Sequence, residues 1–369
     1  MSGGVDSCVA AALLVQQGYE VVGVTMRLSG AYDAARPPGS RGCCSVEDVD
    51  DARRVCQIIG VRHYLMNFER EFQAHVIDYF CREYQLGRTP LPCVACNDRI
   101  KFDFLMRRAS FLDADYVATG HYARILSDGD RWRLLKAESL AKDQSYVLYQ
   151  LTQGELSRLI MPIGSYPKDE VRRIAADLGL PVADKPDSQE ICFIPQGDYR
   201  SFLTERLQPR PGQIVDTDGR VLGEHAGIEF FTVGQRRGLG LATAVPLYVL
   251  AIDAPTARVV VGTQEHLDQA TVWASGVNYI GGAPPEGPIA VTAKVRYKAP
   301  ESPAVLTPHG SWAQLRFHQP QRAVTPGQAV VFYQGEEVLG GGTIEPGPPE
   351  RGDGAPPFGR RSEAEAQAW

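Results

Sequence analysis

The sequence has no long apolar run. Nothing in it reaches the roughly 18 apolar residues of a membrane-spanning helix, and the stretch "VAAALLV" at 9–15 is far too short. That stretch also lacks a basic flank and a small-residue cleavage site, so it does not read as a secretory leader. Cysteine is absent after residue 192, and all eight cysteines of the 369 residues lie within the first 192. A disulfide scaffold spreads its cysteines through a small chain, so a reducing cytoplasm is expected, with thiols free for chemistry or metal. There is no excess of positive charge. The net charge of −6 argues against a general polyanion binder and leaves room for a local basic face. No internal repeat is visible. The apolar content of 44% and charged content of 22% are ordinary for a globular chain of two or three domains.

The first half alternates helix and strand patterns. "VDSCVAAALLVQQ" reads as a helix with Gly18 at its left-handed end, and "YEVVGVTMRL" as a strand. "EDVDDARRVCQIIG" puts Val49, Ala52, Val55, Cys56 and Ile59 on one helical face. "RHYLMNF" is a strand and "FQAHVIDYFCREYQLG" a helix. "CNDRIKFDFLMRRASFLD" is a further helix that Asn97 or Asp98 could cap. "DYVATGH" is a strand running into a loop. "PKDEVRRIAADLGLP" is a helix with proline at its start. Such alternation predicts a doubly wound parallel sheet with ligands at the carboxyl ends of its strands. After Pro209 the pattern changes to hairpins, "GQIVDTDGRVLG" with an Asp-Gly turn and "PLYVLAIDAPTARVVVG". From "TVWASGVNYI" onward, short alternating strands suit a small β-barrel. The expected division is a catalytic domain over 1–208, a β-rich domain over 209–268 and a barrel over 269–345. A disordered tail is expected over 346–369.

Several motifs could carry chemistry. In "SGGVDS" (2–7), consecutive glycines and serine hydroxyls precede a helix, an arrangement that cradles phosphate. It lacks the Gly-Lys-Ser/Thr ending of a Walker loop. The plain alternative is a capped helix start with Asp6 favouring the dipole. In "TPLPCVACNDRIKF" (89–102), Cys93 and Cys96 form a Cys-x-x-Cys where a helix begins, and the helix end with Arg99 and Lys101 would favour thiolate. A zinc site needs two more ligands, which only Cys43, Cys44 or Cys192 could bring from afar. Cys192 in "DSQEICFIP" is a lone cysteine in an apolar run, a pattern that usually means core. "ATGHYAR" places Gly120 and His121 just past a strand. "AKDQSYVL" is either a polar binding loop or a solvated turn. "FFTVGQRRGLG" and "AKVRYKAP" mix cations with aromatics, which suits phosphate contact and base stacking as well as an ordinary exposed strand.

In that order, "MSGGVDS", "GRTPLPCVACNDRIKF", "ATGHYAR", "KDQSYVL", "DSQEICFIP", "FTVGQRRGLG" and "QPQRAVTPGQAVVFYQGEEVLGGG" resemble the bacterial-type tRNA-specific 2-thiouridylase family. That family lies within the ATP-pyrophosphatase loop enzymes, and the resemblance spans about residues 1–345. It implies an α/β catalytic domain of the adenine-nucleotide alpha hydrolase type, followed by the β-rich domain and the barrel. It also implies an activity. ATP, with Mg2+, adenylates the C2 oxygen of the wobble uridine of tRNA, and sulfur from a protein persulfide then replaces that oxygen. By the same resemblance Cys192 would carry the persulfide and Cys96 would be the partner thiol. Ser2, Gly3, Gly4, Asp6 and Ser7 would hold the pyrophosphate, with Met26 and Gly120 at the nucleotide. Leu91, Pro92 and Cys93 match the loop that faces the target base. His121, Lys142, Asp143, Gln144, Arg296, Tyr297 and Gln328 match tRNA-contacting positions. The implied partners are tRNA and a sulfur donor such as a cysteine desulfurase or relay protein, with no membrane.

The sequence departs from the family pattern in three places. The base-facing loop commonly reads Asn-Pro-Asp or Asn-Pro-Cys and here reads Leu-Pro-Cys, and Leu91 cannot hydrogen-bond a base through its side chain. Cys93 adds a third thiol, so Cys93, Cys96 and Cys192 are also candidate iron–sulfur ligands if they converge. Finally, family members carry a strand before the glycine loop, whereas this chain opens on the loop. A version extended upstream is expected to be more stable and to use ATP better. Two rival functions remain at this stage. One is another ATP-pyrophosphatase, amidating or lysidine-forming, which would need no cysteine pair. The other is a tRNA-binding protein without catalysis.

Overall fold

The computed structural model describes residues 1–28, 46–187, 191–194 and 197–349. Cys43 and Cys44 lie outside the described residues, as do positions 350–369 of the expected tail. The chain forms two compact units. One comprises Met1–Asp78 and Pro92–Phe202, the other Tyr79–Leu91 and the chain from Leu203 onward.

The first unit is α/β. Helix α1 (Val5–Gln16) follows the glycine loop and buries Val5, Cys8, Val9 and Leu13. It packs on the Lys168–Asp177 helix, whose Val171 and Ala175 share the same core. Strand β1 (Val22–Arg27), helix α2 (Val46–Ile58) and strand β2 (Arg62–Asn67) follow in order. β1 and β2 run parallel, Val22 opposite Arg62 and Met26 opposite Met66. A second parallel pair joins Val117–Ala118 to Leu159–Ile160. The parallel β structure of this unit therefore consists of two separate pairs among the described residues. An antiparallel hairpin, Ala123–Ser127 with Trp132–Lys136, was not anticipated from the sequence.

Two helices differ from expectation. The chain around Phe72–Gln85 alternates windings, with an α-turn at Glu69–Phe72, a π-helix at Gln73–Ile77 and an α-helix at Asp78–Gln85. The helix after the Cys-x-x-Cys begins earlier than Asn97, with Pro92–Ala95 as its first turn and Cys96–Phe104 wound as π-helix. Proline suits a first helical position because its missing N–H has no partner there and its φ is already helical. Asn97 and Asp98 are thus interior residues, not caps. Asn97 is buried and donates its Nδ2 hydrogen to the Val147 carbonyl at 2.9 Å.

The second unit holds two β assemblies. In the smaller, both expected hairpins form, Gly212–Val215 with Val221–His225 and Tyr248–Asp253 with Arg258–Gly262. They join into one four-stranded sheet through a parallel pairing of Gly212–Val215 with Arg258–Gly262. The larger is a closed antiparallel barrel of six strands, Asp268–Tyr279, Ile289–Lys294, Ser302–His309, Trp312–Arg322, Ala329–Gln334 and Glu337–Glu345. Pairing of Asp268–Tyr279 with Glu337–Glu345 closes it, so these strands leave no open edge. Its interior is filled by alternating residues such as Leu306, Leu315, Val330, Phe332 and Ile344, all fully buried.

Candidate nucleotide and sulfur site

The glycine loop is held by its own hydroxyls. Ser7 Oγ lies 3.2 Å from Ser2 Oγ, accepts from the Ser2 amide at 3.1 Å and donates to the Gly4 carbonyl at 3.1 Å. Gly3 has φ +68°, a conformation that glycine adopts without strain. A Cβ there would stand 2.2 Å from the Asp48 carbonyl oxygen. Gly120, past the Val117–Ala118 strand, presses on the loop from the other side. A Cβ on it would come within 2.6 Å of the Ser7 nitrogen. The first turn of α2, the end of the Val117–Ala118 strand and the α1 N-terminus therefore meet where Gly3 and Gly120 leave room for no Cβ. Met26 is half-buried on β1, next to fully buried Thr25.

Cations surround this loop. Lys168, only 8% exposed, places Nζ 2.7 and 2.8 Å from the two Asp6 carboxylate oxygens and 2.8 Å from Asp187. Tyr122 donates its hydroxyl to Asp6 at 2.7 Å, and burial followed by the Asp6 charge pushes that phenol far up. Asp187 also receives Lys142 at 2.8 Å and Arg172 at 3.2 Å. Burial opposes its ionisation, yet the hydrogen bonds from Lys142 and Lys168 outweigh that and hold its carboxyl at about 2. Lys185 donates to the Gly3 carbonyl at 2.9 Å and is fixed by Asp48 and Asp51. The arrangement fits a polyphosphate, with a glycine cradle, hydroxyl donors, a helix N-terminus and ammonium groups that phosphate oxygens can compete for.

Lys168, Asp187, Tyr122 and Lys185 were not among the residues singled out from the sequence. A signal was present. Lys168 falls in line with Val171 and Ala175, on the buried face of its helix, and a lysine on an apolar stripe is rarely there without a partner.

The residues matched to tRNA contacts in this unit make bonds within it, His121 buried and Lys142, Asp143 and Gln144 half-buried. Asp143 accepts from the amides of Ala137 and Ser145 and from the Ser145 hydroxyl. Gln144 accepts from the Tyr122 amide at 2.9 Å. His121 is buried between Thr119 at 2.8 Å and Lys101 at 3.3 Å, and burial together with the Lys101 charge pushes its pKa well down.

Cys96 and Cys192 are both half-buried, while Cys93 is exposed on the first helical turn. Their segments flank one helical run. Phe193 stacks edge-on against Phe72 at 5.7 Å, and Phe104 lies 5.4 Å from His75. The cations expected to activate the thiol are engaged elsewhere, Arg99 with Asp98 and Lys101 with His121. The iron–sulfur expectation for Cys93, Cys96 and Cys192 gains no support from the described residues. Among the described residues no three His, Cys, Asp or Glu side chains stand together as a ligand set.

In the second unit, Gln328 gives its amide hydrogens to the Thr89 and Pro90 carbonyls at 2.9 and 3.2 Å. It thereby fixes the chain just before Leu91, Pro92 and Cys93. Arg296 is exposed and bonds the Ala323 carbonyl, with Tyr297 beside it half-buried.

Comparison with known proteins assigns the family. Residues 1–196 match the tRNA methyl transferase HUP domain, 200–263 the tRNA methyl transferase PRC-barrel domain, and 269–344 the aminomethyltransferase β-barrel domain. The tRNA-specific 2-thiouridylase MnmA of Moorella thermoacetica is 52% identical over 94% of this chain and 98% of its own. That of Pelotomaculum thermopropionicum is 49% identical over 94% and 96%. The chain belongs to the tRNA-specific 2-thiouridylase family. Enzymes of this family are tRNA sulfurtransferases, and the HUP-type domain of the chain fits nucleotide binding. A solved NMN synthetase from Francisella tularensis overlaps 51% of this chain at a TM-score of 0.31 and 18% identity, too slight a likeness to carry an argument. No helix among the described residues is long and apolar enough to cross a membrane.

Proposed function

We propose that this chain converts the wobble uridine of tRNA to 2-thiouridine, in the cytoplasm, using ATP and a sulfur atom carried on Cys192. The observation that carries the proposal is the 52% identity to a 2-thiouridylase over 98% of that enzyme's length. The site geometry supports it, because the glycine cradle, its cations and both cysteine segments belong to one compact unit. The domain division at 208/209 and 268/269 is part of the same reading.

ATP, with Mg2+, supplies the chemistry that turns the C2 oxygen of uridine into a leaving group. The chain's own residues do the rest. Ser2, Gly3, Gly4 and Ser7 bind phosphate through backbone amides and hydroxyls. Lys168 exchanges an Asp6 oxygen for a phosphate oxygen, and Gly120 leaves room for the nucleotide against the loop. Met26 lines the adenine side. The terminal persulfide sulfur on Cys192 bonds to C2 of the base, and AMP departs with the former uridine oxygen. Cys96 thiolate then attacks the Cys192 sulfur, freeing the thiolated base and leaving a Cys96–Cys192 disulfide. An external thiol reductant supplies the two electrons that reopen it. A protein sulfur donor, a desulfurase or relay protein, recharges Cys192. Leu91, Pro92 and Cys93 face the base, which leaves the anticodon stack at a cost of a few kcal/mol, roughly. Lys142 contacts the RNA from its unit, where His121, Asp143 and Gln144 hold the surrounding chain in place, and Arg296 and Tyr297 contact it from theirs.

The test is direct. With ATP, a persulfide donor, a thiol reductant and unmodified tRNA, digested nucleosides should contain 2-thiouridine. Cys96→Ser and Cys192→Ser should each abolish it. Full activity in both variants would favour an amidating or lysidine-forming reaction instead, and tRNA binding without pyrophosphate release would leave a binding protein only.

A further inference from the structure

Two adjacent glycines leave the phosphate loop a freedom that other residues would remove. With no Cβ on Gly3 or Gly4, little resists rotation of the peptide between them. Such a peptide can turn over and present either its carbonyl or its N–H to the same side. In the structure one orientation is fixed. The Gly3 carbonyl accepts from Lys185 Nζ at 2.9 Å. No peptide bond among the described residues is cis, and a trans peptide sets its C=O and N–H on opposite sides. The Gly4 N–H therefore points away from Lys185.

Lys185 is itself aimed from two sides. Asp48 and Asp51 stand one turn apart near the start of α2, and their oxygens receive Nζ at 2.6 and 2.7 Å. An ammonium carries three hydrogens, and these two carboxylates and the Gly3 carbonyl engage all of them. Burial works against the charge, but the two aspartate hydrogen bonds outweigh it and hold the amine above its ordinary range. Behind the side chain, Arg172 donates to the Ala183 and Lys185 carbonyls at 2.7 and 2.9 Å. Leu180 and Val182 of the same segment are buried in the core beneath α1. Lys168 differs, because its acceptors are the side chains of Asp6 and Asp187, which can rearrange when a phosphate arrives. Lys185 holds the main chain of the loop itself.

We propose that Lys185 is a positioning residue of the nucleotide site, locking the Gly3–Gly4 peptide so that the Gly4 amide faces the pyrophosphate of ATP. The inference rests on the ATP reading above and adds to that site a residue that never touches the substrate. An amide already aimed at its ligand needs no rearrangement when the ligand binds.

The test titrates the full chain by calorimetry with magnesium pyrophosphate and, separately, with adenosine. Lys185→Met lets the peptide turn, and losing one aligned donor to phosphate should raise the Kd for pyrophosphate about tenfold. The Kd for adenosine should stay within about twofold of wild type. Lys185→Met also uncovers two carboxylates, which would repel pyrophosphate without any change of geometry. The double variant Lys185→Met/Asp51→Asn restores the net charge and so separates the two causes. In it pyrophosphate should remain about tenfold weaker than in wild type. With no surplus buried charge, the double variant also gives the readout if the single variant does not fold. Wild-type pyrophosphate affinity in Lys185→Met, its recovery in the double variant, or an equal weakening of adenosine would overturn the assignment and leave the ATP reading standing. If the unaltered chain bound neither ligand, the ATP reading would fail, and the assignment with it.

Discussion

At the residue scale, Lys168 joins Asp6 of the glycine loop to Asp187 ahead of Cys192. Lys168→Met keeps the volume but takes the ammonium from Asp6, left with Tyr122, and from Asp187, left with Lys142 and Arg172. Removing one partner of a buried pair is costly, and here the partly solvated acids soften the loss to about 1–3 kcal/mol in thermal unfolding. Pyrophosphate release should fall at least tenfold, roughly 1.4 kcal/mol or more of transition-state stabilisation. A wild-type ATP profile in this variant would remove Lys168 from the phosphate site. Gly120→Ala tests the cradle by shape alone. Its methyl group would stand 2.6 Å from the Ser7 nitrogen, so KM for ATP should rise severalfold while tRNA affinity stays unchanged. His121 sets a pH limit. Its folded pKa lies well below 6.5, because burial and Lys101 disfavour the charged ring. The unfolded chain therefore takes up that proton first. The stability that His121 contributes is complete above about 6.5 and is lost as pH falls below it. Melting curves between pH 5 and 8 should show this acid loss, and His121→Gln should flatten it.

At the element scale, the decisive feature is the loop leading from Asp78–Gln85 into the Pro92 helix. Arg88 bridges buried Glu83 and Glu345, and Ser275 also donates to Glu345. Gln328 holds the carbonyls of Thr89 and Pro90. This fastening holds the chain up to Leu91 within its own unit. Gln328→Ala gives up two hydrogen bonds, worth about 1 kcal/mol each. Thiolation kcat should drop with little change in KM for ATP. A loss confined to tRNA affinity would instead mark Gln328 as a direct RNA contact. The π-wound stretch Cys96–Phe104 belongs to the same account, since wide turns of this kind recur at functional sites and this one opens at the proposed nucleophile.

At the scale of the whole molecule, a chain of net charge −6 is proposed to hold a polyanion. Affinity must then come from local cations. Raising KCl from 50 to 200 mM should weaken tRNA binding by a factor of ten or more, the response of a few phosphate contacts. A flat salt response would mean recognition through bases and shape instead.

Alternation of period, turn residues and glycine placement made most elements legible from the sequence, because these are local properties of the backbone. α1, β1, α2, β2, both hairpins of the small sheet and the barrel strands all follow from them. The hairpin Ala123–Ser127 with Trp132–Lys136 was missed although Asp128-Gly129 marks its turn. The chemical motifs were equally plain, because phosphate cradles and thiol pairs are short strings. Tertiary structure alone decided which charges meet. Lys168 and Asp6 lie 162 positions apart, and Arg88 and Glu345 lie 257 apart. No local pattern encodes such pairs, since their energy exists only once folding has removed both groups from water.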